Sequence, residues 1–127
     1  MKTMNILDSS AWIEFFTGGK NTENFKEIIR KTDQLIVPTV TLYEVCKKFF
    51  MERGKEAALE CMAFMKKGNV VDLDMELSIL AASISKERKL AMADSIILAT
   101  AQQYDATIWT MDTDFKGMPN VKYFAKK

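Results

Sequence analysis

Met4-Asn5-Ile6-Leu7-Asp8, followed at once by Ser9 to Phe16 and the pair Gly18-Gly19, decides how the rest of the chain is read. The first segment has the length and apolarity of a buried strand, and the second that of a short helix broken by the glycines. A strand that turns straight into a helix opens an alternating α/β pattern, and the segments downstream continue it. Phe25, Ile28 and Ile29 recur at helical spacing, and Leu35-Ile36-Val37 then forms a strand ended by Pro38. Leu42, Val45, Cys46, Phe49 and Phe50 make one apolar stripe on a helix from about Thr41. Ala57 to Met65 make another beyond Gly54, and the two helices form a hairpin.

A third strand is expected over Val70-Val71-Asp72-Leu73, and a helix carries Leu77, Leu80, Ala81 and Ile84. Another helix runs from Ser95 to Tyr104, a fourth strand over Thr107-Ile108-Trp109-Thr110, and a short fifth over Val121 to Phe124. Strands separated by roughly 10–30 residues of helix need crossover connections and so lie parallel, with helices covering both faces. The expected fold is a three-layer α/β/α sandwich around a central, mostly parallel sheet of four to five strands.

The whole chain, residues 1–127, reads as one domain, without repeat or linker. It is 48% hydrophobic and 28% charged with two prolines, the composition of a folded globule. Eighteen basic and 17 acidic residues leave a formal charge of +1, so any nucleic-acid contact must use a local patch. The absence of histidine excludes histidine acid/base chemistry, Ser-His-Asp hydrolysis and imidazole metal sites together. Cys46 and Cys61 lack metal-ligand spacing and read as reduced thiols. No apolar stretch reaches the roughly 18 residues of a membrane span, and the expected location is the cytoplasm.

In an open parallel sheet, ligands bind beyond the carboxyl ends of the strands. Four acids fall at that rim: Asp8 after the first strand, Glu44 in the first turn of the helix after the second, Asp94 at a helix start, and Asp112 after the fourth strand. Each has a local alternative. Asp8 and Asp94 suit N-caps, Asp112 suits an Asx-turn before Phe115, and Thr41 with Glu44 fits a capping box. Capping gives no reason for four acids to share one edge, where two charges about 4 Å apart repel by about 4 kcal/mol at an effective dielectric near 20. A hard divalent cation such as Mg²⁺ or Mn²⁺ reverses that repulsion and prefers oxygen ligands.

Four segments together resemble the PIN-domain family, and within it the VapC-type toxins. They are Ile6 to Trp12, Thr41-x-x-Glu44-x-x-Lys47, Ala93 to Ala101, and Thr110-Met111-Asp112-Thr113-Asp114-Phe115, in the family's order across residues 4–115. The resemblance implies a metal site of Asp8, Glu44 and Asp94 with a fourth acid from Asp112, or as second choice Asp114, and supporting hydroxyls from Ser9 and Thr110. It further implies Mg²⁺- or Mn²⁺-dependent endoribonuclease activity leaving 5′ phosphates, a small protein antitoxin as partner, and a homodimer. A housekeeping RNA-processing role is equally compatible with these motifs.

Lys47 and Lys48 follow Glu44 at ion-pair spacing, with contact to RNA phosphate as the alternative. Trp12, Phe15 and Phe16 read as core or interface rather than base-stacking platforms, and the methionines around Met51, Met62 and Met65 as adaptable packing or a partner surface. Two other α/β families keep acids at strand ends. A phosphoacceptor signalling receiver needs an acidic pair after its first strand, and a dehalogenase-like phosphatase a second Asp two residues after the first; here Ser9-Ser10 follows Asp8.

Overall fold

The structure, a computed structural model, describes residues 3–127; the first two residues of the expected 1–127 domain lie outside the described residues. The elements run β1 (Met4–Leu7), α1 (Ser9–Thr17), α2 (Thr22–Arg30), a 3-10 turn at Thr32–Gln34, β2 (Leu35–Pro38), α3 (Thr39–Arg53) and α4 (Lys55–Met65). They continue with β3 (Asn69–Val71), α5 (Met75–Arg88), α6 (Met92–Tyr104), β4 (Ala106–Thr110), a 3-10 turn at Thr113–Phe115 and β5 (Val121–Tyr123). The five strands form one sheet in the order β3-β2-β1-β4-β5, and every neighbouring pair is parallel.

Alternation along the strands splits the core into two layers. Ile6, Ile36 and Ile108 point to one face, where Leu77, Ala81, Ile84, Ile97 and Phe115 pack on them. Leu7, Leu35 and Val37 point to the other, against Trp12, Phe25, Val45, Phe49 and Met65. Ile6, Leu7, Ile36 and Ile108 are at most 1% exposed, and each such side chain stabilises the fold by about 1.5–3 kcal/mol. A register slip of one residue would exchange the two faces, so this burial fixes the pairing.

Three boundaries differ from the sequence expectations by more than one residue, each for a local reason, and α1, β4 and β5 differ by one. The helix expected from Thr41 begins at Thr39, and Thr41 does not cap it. Its hydroxyl is buried and donates to the Pro38 carbonyl at 2.7 Å, so the capping box with Glu44 does not form and Glu44 lies in the second turn. The helix expected from Ser95 begins at Met92 with Ala91 as N-cap, which places Asp94 third in the helix rather than at its cap. Ser95 Oγ donates to the Ala91 carbonyl at 2.8 Å and helps close that turn. The third strand is Asn69–Val71, where Asn69 pairs with Ile36 and its side-chain Nδ2 donates to the Leu35 carbonyl at 3.1 Å, so the pairing starts early; Asp72 and Leu73 lie beyond it.

The aromatic residues after Asp8 are packing groups. Trp12 is fully buried and stacks on Phe16 at 5.6 Å, with Phe15 and Phe64 edge-on to it. Among the methionines, Met65 is core while Met51 is 77% exposed. Cys46 is half-buried, Cys61 buried, and both are free thiols. Among the described residues no helix is long and apolar enough to cross a membrane.

Candidate active site

The chain runs outward from β1 in both directions, to β2 and β3 on one side and to β4 and β5 on the other. The β1/β4 boundary is therefore the topological switch point, where an open sheet leaves a crevice beyond its carboxyl ends. Asp8 follows β1 there, and Asp112 follows β4. The helix α6 returns to β4 and so starts at the same rim, bringing Asp94, while α3 leaves β2 and brings Glu44.

Asp8 is held by three donors. Ser10 Oγ (2.7 Å) and the Ala11 amide (3.0 Å) donate to Oδ1, and Thr110 Oγ1 donates to Oδ2 at 2.6 Å. The N-cap role is thus real, but it occupies one oxygen and leaves the other directed at β4. Thr110 Oγ1 also accepts from the Asp112 amide at 2.8 Å, and Asp112 Oδ1 accepts from the Asp114 amide at 2.9 Å. The Asx-turn at Asp112 is real as well, again using one oxygen. Ser9 Oγ donates to Glu44 Oε1, tying the start of α1 to α3.

Ser10 was not singled out from the sequence. Its hydroxyl donates to Asp8 and accepts from the Met111 amide at 3.0 Å, so it fastens the two sides of the switch point together. The available signal was the Ser9-Ser10 pair itself: a hydroxyl two residues after a capping Asp can reach that Asp's side chain.

Asp94, Asp112 and Asp114 each present a carboxylate oxygen, and these oxygens all lie within 4.8 Å of one another. Asp112 and Asp114 are therefore not alternatives in space, since both stand beside Asp94. Asp8 and Glu44 lie outside that tight trio but within its electrostatic reach. Burial, then the charges of Asp112, Asp114, Asp8 and Glu44 in that order, push the Asp94 carboxyl up to about 7. Burial pushes Asp8 up to about 6 against the hydrogen bonds from Thr110, Ser10 and Ala11, with a further small push from Asp112. Among the described residues no Lys or Arg is ion-paired with any of these five acids. Lys48 bonds Glu52 at 2.6 Å instead of Glu44, and the Lys47 ammonium sits over the Tyr43 ring.

Carboxylates crowded without a countercharge form an oxygen-only donor set, and that set fits a hard divalent cation. Asp94, Asp112 and Asp114 are close enough to share one ion, with Asp8 and Glu44 flanking.

Thr110 is the residue on which this geometry most depends, since its buried hydroxyl serves Asp8 and Asp112 at once. Thr110→Val keeps the shape but leaves the half-buried Asp112 amide and the buried Asp8 Oδ2 without this partner, and should cost about 1–3 kcal/mol. Denaturant unfolding should show this loss, and Thr110→Ser should recover most of it. A Val variant as stable as the parent would mean that the hydroxyl does not hold the site.

An all-parallel α/β/α protein with an acid cluster at its switch point is the class that fold and site define. Its family is also shown: a PIN domain model matches residues 6–121, and the chain belongs to that family. No curated protein matches in sequence. Among solved structures, a toxin–antitoxin complex from Klebsiella pneumoniae is similar, with a TM-score of 0.82 at 22% identity over 97% of this chain and 99% of that one. A DNA-bound VapBC from Salmonella typhimurium gives a TM-score of 0.75 at 20% identity, covering 98% of each chain. A sarcin–ricin loop cleaving VapC toxin from Mycobacterium tuberculosis gives 0.71 at 18% identity over 93% of this chain and 98% of that one. With the family shown, the receiver and dehalogenase-like readings fall away.

Proposed function

We propose that this chain is a single-domain, divalent-metal-dependent endoribonuclease that hydrolyses RNA phosphodiester bonds as the toxin of a toxin–antitoxin pair. The single observation that carries the reading is the trio Asp94, Asp112 and Asp114, with oxygens within 4.8 Å and no ion-paired Lys or Arg among the described residues, in a PIN domain. The toxin assignment draws on the likeness to toxin–antitoxin structures of nearly equal chain length. It brings with it a small antitoxin partner, a homodimer and a cytoplasmic location.

Asp94, Asp112 and Asp114 would hold Mg²⁺ or Mn²⁺. When bound, such an ion makes water a stronger acid at neutral pH and offsets charge on the reacting phosphate. The protein supplies positioning around it. Ser10 and Thr110 fix both oxygens of Asp8, so its charge faces the cluster in one orientation. Ser9 engages Glu44 Oε1, and Glu44 Oε2 would be the oxygen to accept a proton from the attacking water. With no histidine in the chain, a carboxylate is the available proton acceptor.

The direct test is incubation of the purified protein with single-stranded RNA in Mg²⁺ or Mn²⁺ and in excess EDTA. Cleavage to 5′-phosphate ends with metal, and none with EDTA, is expected. Equal cleavage in both would remove the metal mechanism, and no cleavage of any RNA in either would remove the nuclease reading.

A further inference from the structure

Beside the acid cluster, α3 presents a different chemistry. Tyr43, Lys47 and Met51 follow one another at four-residue spacing and form a stripe on its outer face, with Glu44, Lys48 and Glu52 alongside. These six residues line an open groove of about 350 Å³ that reaches the site at Glu44. Tyr43 is 62% exposed, and the Lys47 ammonium lies 5.9 Å from its ring centre.

Three other rings carry a cation in this way: Phe49 under Arg53, Phe64 under Lys67 and Tyr123 under Lys116. Those rings are buried or half-buried, and their packing explains them. Tyr43 is the exposed one, and among the described residues its hydroxyl makes no hydrogen bond. Lys48 is engaged by Glu52, whereas Lys47 makes no ion pair among the described residues. An exposed ring and a cation without an ion pair among the described residues therefore stand one helical turn apart, about 6 Å along the axis, next to an acid of the site.

We propose that Tyr43 and Lys47 form a nucleotide subsite for single-stranded RNA, the Tyr43 ring stacking on a base and the Lys47 ammonium meeting a neighbouring phosphate. The inference rests on the nuclease reading and names two residues of this chain that would position its substrate. Every base has a π-face, so such a platform is tolerant of sequence, but a base must leave its own stack to use it. The cation also offsets the acids that would otherwise repel the backbone as it approaches Glu44. Groups fixed one turn apart on a helix hold their spacing better than groups on a loop.

The test uses full-length protein carrying Asp94→Asn, in Mg²⁺, with a fluorescently labelled single-stranded RNA whose integrity is checked after each titration. In that background Tyr43→Ala should weaken binding about five- to a hundredfold, and Tyr43→Phe should stay within about twofold of the parent. Lys47→Gln should flatten the slope of log affinity against log salt by about 0.7, the share of one phosphate on a single strand. Tyr43 is exposed and Ala favours helix, so the variants should fold, which thermal melting verifies. Unchanged RNA affinity in Tyr43→Ala overturns the subsite. So does a change confined to sedimentation behaviour, which would assign the ring to a protein contact. If wild type cleaves RNA and Tyr43→Ala still binds normally, the subsite alone is wrong; if wild type cleaves nothing, the nuclease reading is the failure.

Discussion

Asp94→Asn should lower metal-dependent RNA cleavage by about a thousandfold while the protein keeps its fold. The size follows from the several kcal/mol of transition-state charge stabilisation that a catalytic cation supplies, at 1.36 kcal/mol per tenfold in rate. The fold survives because Asp94 is the third residue of α6 and not its cap; Ala91 and Ser95 close that turn without it. Asp8→Asn should give a comparable loss of cleavage by a different route. An amide can still accept from Ala11, but its nitrogen cannot accept the Thr110 hydroxyl, so the buried link to β4 is disturbed as well. The two variants therefore separate: Asp94→Asn melts no lower than wild type without metal, and Asp8→Asn melts lower. Rates from purified wild type and both variants on one RNA, with circular dichroism melts, measure all of this. Wild-type rates in both variants would remove the acids from catalysis.

Legibility in the sequence followed how far each signal was local. Ile6-Leu7-Asp8 and Ile108-Trp109-Thr110 announced strands because apolar, β-branched runs bounded by polar residues have few other readings, and the acids after them could be placed at the carboxyl rim. The start of α6 was not legible, because Leu90-Ala91-Met92 contains no capping side chain and the cap is made by backbone and by Ser95 downstream. Thr41 misled for the opposite reason: its pattern with Glu44 matches a capping box, yet it lies buried within the first turn of α3, where its hydroxyl turns back to Pro38. Capping and site formation are compatible at Asp8 and Asp112, because a carboxylate has two oxygens and one can serve each purpose. The closeness of Asp114 to Asp94 depends on how the turn at Thr113–Phe115 folds back, a matter of tertiary packing that spacing does not encode.

The second large effect concerns stability and its sign. Asp94 and Asp8 are pushed up to about 7 and about 6, while an unfolded Asp titrates near about 3.9. Between those values the native state binds more protons than the unfolded chain, so the pH derivative of unfolding free energy is negative. Metal-free protein should therefore lose stability as pH rises from about 4 to about 7 through these two groups, and the loss should level off near pH 8, where both are ionised in either state. Asp94→Asn removes the larger of the two upward shifts, so its melting temperature at pH 8 should exceed that of wild type by about a few degrees, with the difference shrinking toward pH 4. Mn²⁺ or Mg²⁺ should reverse the penalty in wild type, adding about 2.7 kcal/mol at a hundredfold excess over Kd. That gain should be greater at pH 8 than at pH 5, because the cation competes with protons for the same oxygens. The comparison of wild type with Asp94→Asn cancels the acids remote from the cluster, which titrate alike in both. A metal-induced rise in melting temperature of equal size in the two proteins would place the cation elsewhere, and a wild type that gains on Asp94→Asn between pH 5 and 8 without metal would mean that neither burial nor the neighbouring carboxylates penalise the Asp94 charge in the folded chain.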